Sequence, residues 1–342
     1  SWTLEYTYKS VINSFSGRTP AQLTSMFEGF KASTFRPILW QLLFMSLTAW
    51  IVIAGVKRGI EKYAKILMPI LLLLIIIMDV RAVTLTGAKE GVEFLFRPDF
   101  SKLDTNSVLE ALGQAFFSLS IGMGTLVTYG SYINKRENLA NTAISVSAAD
   151  TIIAILAGLA IFPAVFAFGI EPNAGPDLIF RTLPNIFMQL PGGYFFSLLF
   201  FILLVVAALT SSISVLEVVV AYFTEELGML RRPATILAAA SITALGILST
   251  LSWGVLSGVE LFEQNIFGIL DFTASSVLLP IGGLFIVIFL GWYLGKKAVR
   301  KEVSSGGLFK VRLVSLFVFI IKFLAPIAIA LVFLNGIGIL KF

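Results

Sequence analysis

The residues with chemistry to offer sit inside apolar runs. Residues 116–132 read FFSLSIGMGTLVTYGSY, and the centre of that run carries Ser118, Ser120, Gly122 and Gly124. Glycine leaves the helical region of backbone space at little steric cost, and serine supplies an oxygen where a helix opens. Unpaired backbone in lipid costs several kcal/mol per group, so a break is tolerated only inside protein or beside a water-filled cavity. Two half-helices meeting there present a carbonyl end that can hold a cation and an amide end that can hold a carboxylate. That is the arrangement expected of a secondary transporter. Small residues also line close helix–helix contacts, so this run alone leaves both readings open.

Two further clusters point the same way. In residues 193–222, VVAALTSSISVLEVVV places Thr210, Ser214 and Glu217 at i, i+4 and i+7 on one helical face, with Ser211 beside them. Hydroxyls in membrane helices commonly bond back to their own carbonyls, but a Thr-Ser-Ser-x-Ser run above a glutamate offers more oxygen than that habit explains. Asp150 lies well inside residues 141–169, three residues after Ser147. Ionisable groups within the bilayer are rare and mark a site or a paired charge. Structural hydrogen bonding is the other reading of Asp150 and Glu217.

These residues must be positioned by membrane helices. Of 342 residues, 57% are hydrophobic and 13% charged, against about half and about a quarter in a soluble domain. With no Cys and no His, disulfides, thiolate or imidazole metal sites and nucleophile–histidine catalysis are excluded. A hydrocarbon core ~30 Å thick needs about 20 apolar residues as helix. Spans are expected at 37–56, 63–82, 106–133 (broken), 141–169, 193–222, 234–253, 264–292 and 310–336, with residues 1–15 a partial helix. Trp40, Trp50, Trp253 and Trp292 fall near span ends, as interfacial aromatics do. The connections on one side hold fourteen basic residues and those on the other nine, so the first side is expected to be cytoplasmic and the C-terminus extracellular. The net charge of +5 follows from this asymmetry rather than from nucleic-acid binding. Residues 170–192 mix apolar side chains with Pro and Gly and are expected to form a packed extracellular lid loop. The opening SWTLEYTYKS has no Met and already looks helical, which suggests a chain whose front lies elsewhere.

FLFRPDFSKL, ALGQAFFSLSIGMGTLVTYGSY, SVSAADTIIAILAGLAIFPAVF and LTSSISVLEVVVAYFTEEL follow one another in an order and spacing that resembles the neurotransmitter:sodium symporter family, in its bacterial eleven-helix branch. The resemblance covers all 342 residues. It implies an all-α integral membrane protein with a five-plus-five inverted-repeat transporter fold, forming a single transmembrane domain over 1–342. It also implies that the first two helices and part of the third are absent, residues 1–15 being the outer half of the third.

The resemblance assigns roles residue by residue. Ser118 matches a hydroxyl ligand of the first sodium site, and Asp150 matches an Asn ligand of that site, with Gln114 in the same neighbourhood. The change to Asp adds a fixed negative charge where some members use chloride, so the expectation is chloride independence. Ala207, Thr210 and Ser211 match the second sodium site, the first through its carbonyl and the others through hydroxyls. Hard cations such as Na+ prefer oxygen ligands, and two sodium ions per substrate are expected. Phe117, Ser118, Ser120, Met123, Ser211 and Val215 match the substrate pocket, whose apolar lining suits a neutral, hydrophobic amino acid. Asp271 matches the outer-gate acid, Glu225 the inner-gate acid and Tyr132 the inner-gate tyrosine. No organic cofactor is implied; the partners are the bilayer of the cell membrane, sodium and the amino acid.

The expected function is sodium-coupled symport by alternating access. The family's first helix supplies half of each site, so this chain alone is expected not to complete a cycle. Three other readings stand beside it. A membrane enzyme lacks a catalytic constellation. A non-transporting relative would bind substrate with sodium but not move it. A proton-coupled permease would use Glu217 as its proton carrier.

Overall fold

In a computed structural model of the chain, residues 1–134, 136–169, 175–307 and 314–340 are described. Among them, seven helices are long and apolar enough to cross a membrane: Phe35–Ile53, Val56–Val83, Leu139–Ala167, Gly193–Glu225, Arg231–Leu251, Ile266–Val303 and Val314–Gly336. An eighth apolar stretch is split into α6 (Thr105–Ser118) and α7 (Thr125–Tyr132). A ten-residue helix, α1 (Trp2–Val11), opens the chain. The first residues of the expected span 310–336, and residues 170–174 of the expected lid, lie outside the described residues.

The chain divides into two compact units. The first comprises 1–98 and 153–267, the second 99–152 and 268–342. In the first unit α10 (Gly193–Glu225) is the longest helix, and α1, α3 (Phe35–Ile53), α4 (Lys62–Val83) and α11 (Arg231–Leu251) pack along it. α10 is apolar nearly all round, which suits a helix with partners on several sides. A ring cluster fills the space beside it: Phe27 stacks on Phe180 at 5.4 Å, and Tyr6 meets Phe180 at 4.9 Å. Residues 178–190 form a π turn and the short helix α9 (Leu183–Gln189). Leu183, Ile186, Phe187 and Leu190 are buried in the same cluster, so this part of the connection is packed against the unit.

Outward-facing apolar positions are numerous. Leu39, Leu42, Leu43 and Leu47 on α3 recur at helical spacing and are exposed, as on a helix that faces lipid or further protein. Polar groups inside the first unit are paired instead. Glu5 is fully buried; Arg36 donates Nη2 to its Oε1 at 2.8 Å, Trp40 donates Nε1 to its Oε2 at 2.5 Å, and Lys9 lies 3.3 Å away. These contacts tie α1 to α3.

Two buried side chains are exceptions: the Tyr6 hydroxyl has no hydrogen-bond partner among the described residues, and neither does Asp79. Asp79 lies on the buried face of α4 between Ile75 and Ala82, and both of its carboxyl oxygens lack a partner among the described residues. A buried polar group without a partner costs ~1–3 kcal/mol. Asp79→Leu is therefore expected to stabilise the protein by about 1–2 kcal/mol, read as a raised unfolding midpoint in detergent. An unchanged or lowered midpoint would show that Asp79 has a partner in the working protein.

In the second unit, α13 (Leu279–Ile288) packs on α16 (Ala325–Gly336), and α6 packs on both. Two differences from the sequence expectation stand out around residues 260–303. Residues 260–265 form a tight antiparallel hairpin, with Phe262 and Glu263 both at positive φ; no glycine or asparagine flags that turn. The apolar helix ends at Gly295, whose backbone leaves the helical region (φ 72°, ψ 171°), and the basic residues that follow form the strongly amphipathic α14 (Gly295–Val303).

Candidate functional site

Asp104 begins the interrupted span. It caps α6 by accepting hydrogen bonds from the Ser107 amide and hydroxyl, each at 2.6 Å. These hydrogen bonds hold its carboxyl below the usual carboxylate range. The cap is intact at neutral pH and is lost as pH falls through that lowered value. α6 then delivers Gln114, Phe117 and Ser118 before the backbone opens. Ser120 N–H bonds to Phe117 O and Ile121 N–H to Phe116 O, closing the last turn. Residues 119–124 are not helical, and α7 starts at Thr125 with Gly124 as its cap at φ 79°.

Three residues in the opening have left-handed backbone: Ser120 (φ 53°), Gly122 (φ 92°) and Gly124 (φ 79°). For serine this region is strained, and such strain clusters at functional sites. Gly122 also makes a close approach. A Cβ there would lie 2.3 Å from the carbonyl oxygen of Leu279 and 2.9 Å from the amide nitrogen of Gly283, while a Cβ on Gly282 would lie 2.5 Å from Gly122 O. The opened segment is thus pressed backbone to backbone against α13. The Gly282–Gly283 pair in PIGGLF is the sequence signal for this contact.

Ser118 and Asp150 come together. The Ser118 hydroxyl donates to Asp150 Oδ1 at 2.6 Å, from the end of α6 to the middle of α8 (Leu139–Ala167). A carboxylate and a hydroxyl at the carbonyl end of a half-helix form an oxygen-only, net negative set suited to a small hard cation. Ser120 and Met123 belong to the opened segment of the same unit, and Phe117 is 55% exposed at the end of α6.

In the first unit, α10 carries the second cluster. The Thr210 hydroxyl donates to Ala207 O at 2.9 Å, and Ser214 donates to Thr210 O at 3.1 Å. The Ala207 carbonyl and the Thr210 hydroxyl are therefore adjacent oxygens, with Ser211 exposed next to them and Val215 about half exposed one turn on. Glu217, on the same face, is completely buried and forms a forked ion pair with Arg231, Nη1 to Oε1 at 3.1 Å and Nη2 to Oε2 at 2.5 Å. Arg231 Nε also donates to Val52 O at 2.9 Å. This is the structural reading of Glu217. Breaking a buried pair from one side costs ~3–5 kcal/mol. With Arg231 partly exposed, Glu217→Gln is expected to cost about 3 kcal/mol, measured as a fall in unfolding midpoint. A midpoint within a degree of the parent would refute it.

The gate candidates are placed separately. Asp271 is exposed on α12 (Ile266–Phe272) and lines a cavity of about 380 Å³ with Gln114, Phe117, Glu110 and Asn335, all within the second unit. Tyr132 ends α7, its ring 6.4 Å from that of Tyr129. Glu225 ends α10 and is exposed. Among the described residues no group of three acidic side chains gathers as a metal centre.

Comparison with known proteins agrees with the all-helical membrane fold. A model of the "Sodium:neurotransmitter symporter family" matches residues 7–341. The chain is 42% identical over 341 residues to YhdH of Bacillus subtilis, described as an uncharacterized sodium-dependent transporter, covering all of this chain and 76% of that protein. It is 40% identical over 306 residues to an uncharacterized sodium-dependent transporter of Haemophilus influenzae, covering 89% of this chain and 66% of the other. Among solved structures, MhsT in complex with L-phenylalanine superimposes with a TM-score of 0.87 at 45% identity, over 98% of this chain and 76% of that one.

Proposed function

Because the chain belongs to the sodium:neurotransmitter symporter family, a family of membrane transporters and not of enzymes, we propose that it forms part of a sodium-coupled symporter for a neutral, hydrophobic amino acid. One observation carries this reading: the Ser118–Asp150 pair, set where the interrupted helix opens. Ser118 and Asp150 ligate one sodium ion; the Ala207 carbonyl with the Thr210 and Ser211 hydroxyls ligate a second. Phe117, Ser118, Ser120 and Met123 in and beside the opened segment are amino-acid contacts, and so, on α10, are Ser211 and Val215. Tyr132, Glu225 and Asp271 act at the gates. The presence of L-phenylalanine in the MhsT complex supports an aromatic or large aliphatic substrate. The C-terminus faces outward, by the distribution of basic residues.

Asp150 gives the reading an anionic twist. Relatives such as the GABA transporter ine of Drosophila melanogaster are described as sodium- and chloride-dependent. A carboxylate at the first sodium site supplies the negative charge itself, so transport by this protein does not need chloride.

The driving force is adequate. A sodium ion moving inward gains ~2.3 kcal/mol for each ~100 mV, and a tenfold gradient adds about 1.4 kcal/mol. Two ions deliver roughly 7 kcal/mol, enough to concentrate a neutral solute about five orders of magnitude. The test is radiolabelled L-phenylalanine uptake into proteoliposomes under an inward sodium gradient. Uptake that follows sodium and ignores chloride is expected of the whole symporter of which this chain forms part, and none of the chain by itself. Sodium-dependent binding without uptake would favour a non-transporting relative, and uptake that follows pH but not sodium would overturn the proposal.

A further inference from the structure

A cavity of about 460 Å³ lies in the first unit where α1 ends, α2 (Pro20–Ala32) turns back and α3 begins. Its wall carries Lys9, Arg18 and Arg36, together with the hydroxyls of Tyr8, Ser14 and Ser25. Lys9 is more than nine-tenths buried, and the positive charges of Arg36 and Arg18 both act on it. One acid answers these three cations. Glu5 pairs with Lys9 and Arg36, while Arg18 donates only Nε, to Ser14 O at 2.6 Å, and has no carboxylate partner among the described residues. Glu28, in the neighbouring α2, pairs with Lys31 and Arg181, and Asp177 pairs with Arg181.

Lys9 is buried and paired with Glu5, while Arg18 and Arg36 are exposed, so a net positive charge faces the opening and attracts an anion. Guanidinium groups and hydroxyls offer forked and single hydrogen bonds that match a tetrahedral oxyanion. The depth of the cavity adds a second constraint. α3 starts at Phe35, which is 73% exposed, and Leu39 one turn on is half exposed, so the mouth sits where the apolar span begins, the level of lipid headgroups. We propose that this cavity binds a phosphate-class anion through Lys9, Arg18 and Arg36. Either a lipid phosphodiester or free phosphate supplies that chemistry.

The test uses the purified protein in nanodiscs. One arm compares phosphatidylcholine discs with discs containing a third phosphatidylglycerol; the other titrates inorganic phosphate into the phosphatidylcholine discs. Saturable stabilisation against thermal unfolding is expected in at least one arm, and the responding arm names the source. Arg18→Gln should weaken the apparent affinity about tenfold, Arg18→Lys should recover part of it, and Lys89→Gln, on exposed α5 (Ala88–Phe96), should leave it unchanged. Ser25→Ala, a milder change at the same wall, should give a smaller loss. No saturable response in either arm, or equal responses from Arg18→Gln and Lys89→Gln, would overturn the proposal.

Discussion

Asp150→Ala is expected to weaken sodium binding about a thousandfold. A full negative charge ~4 Å or less from the ion contributes about 4 kcal/mol at an effective dielectric constant near 20, and each 1.4 kcal/mol is about tenfold. The Ser118 hydroxyl, which now donates to Asp150 at 2.6 Å, would also lose its acceptor. Asp150→Asn should behave differently. It keeps a ligand oxygen but removes the same charge, so without chloride sodium affinity falls by a similar factor, and chloride restores part of it. The measurement is sodium dependence of phenylalanine binding by scintillation proximity, with chloride replaced by gluconate. A sodium affinity in Asp150→Ala within a few-fold of the parent would remove Asp150 from the site.

Gly122→Ala is expected to abolish sodium-dependent binding and to destabilise the second unit. Two costs add. The residue sits at φ 92°, where an L side chain costs ~1–2 kcal/mol, and the new methyl would lie 2.3 Å from Leu279 O. Overpacking of that kind costs ~1–3 kcal/mol, and here the neighbour is backbone. The total is about 3–4 kcal/mol. Gly130→Ala, in α7 just beyond the opened segment, whose Cβ meets nothing within 4 Å, is the control. Equal binding by the two variants would show that the opened segment does not need its present path.

The fold was legible where composition alone decides. Long apolar runs such as residues 193–222 can satisfy their backbone in lipid only as helices, and the helices follow those runs. The break at 119–124 was legible as one of two readings of the glycines and serines in mid-span, the other being close packing, and the structure shows both: the helix opens and Gly122 packs on α13. The positive φ of Ser120 was not, since a serine carries no mark of it and the strain is imposed by the packing of 119–124 on α13. Glu217 was ambiguous in sequence because its partner, Arg231, stands fourteen residues away across a turn. Glu5 and Asp79 were passed over, being single acids in apolar runs whose burial depends on which face α1 and α4 turn inward.

The Glu217–Arg231 fork has a mechanical side. Arg231 joins the first residue of α11 to α10 and, through Val52 O, to the end of α3. Three helices are thereby clamped at one end, about 10 Å along α10 from Thr210. A pull on residues 207–211 by an arriving ion would not bend α10 by itself. The three helices share that anchored corner, so a shift of α10 there is passed to α3 and α11 through Arg231.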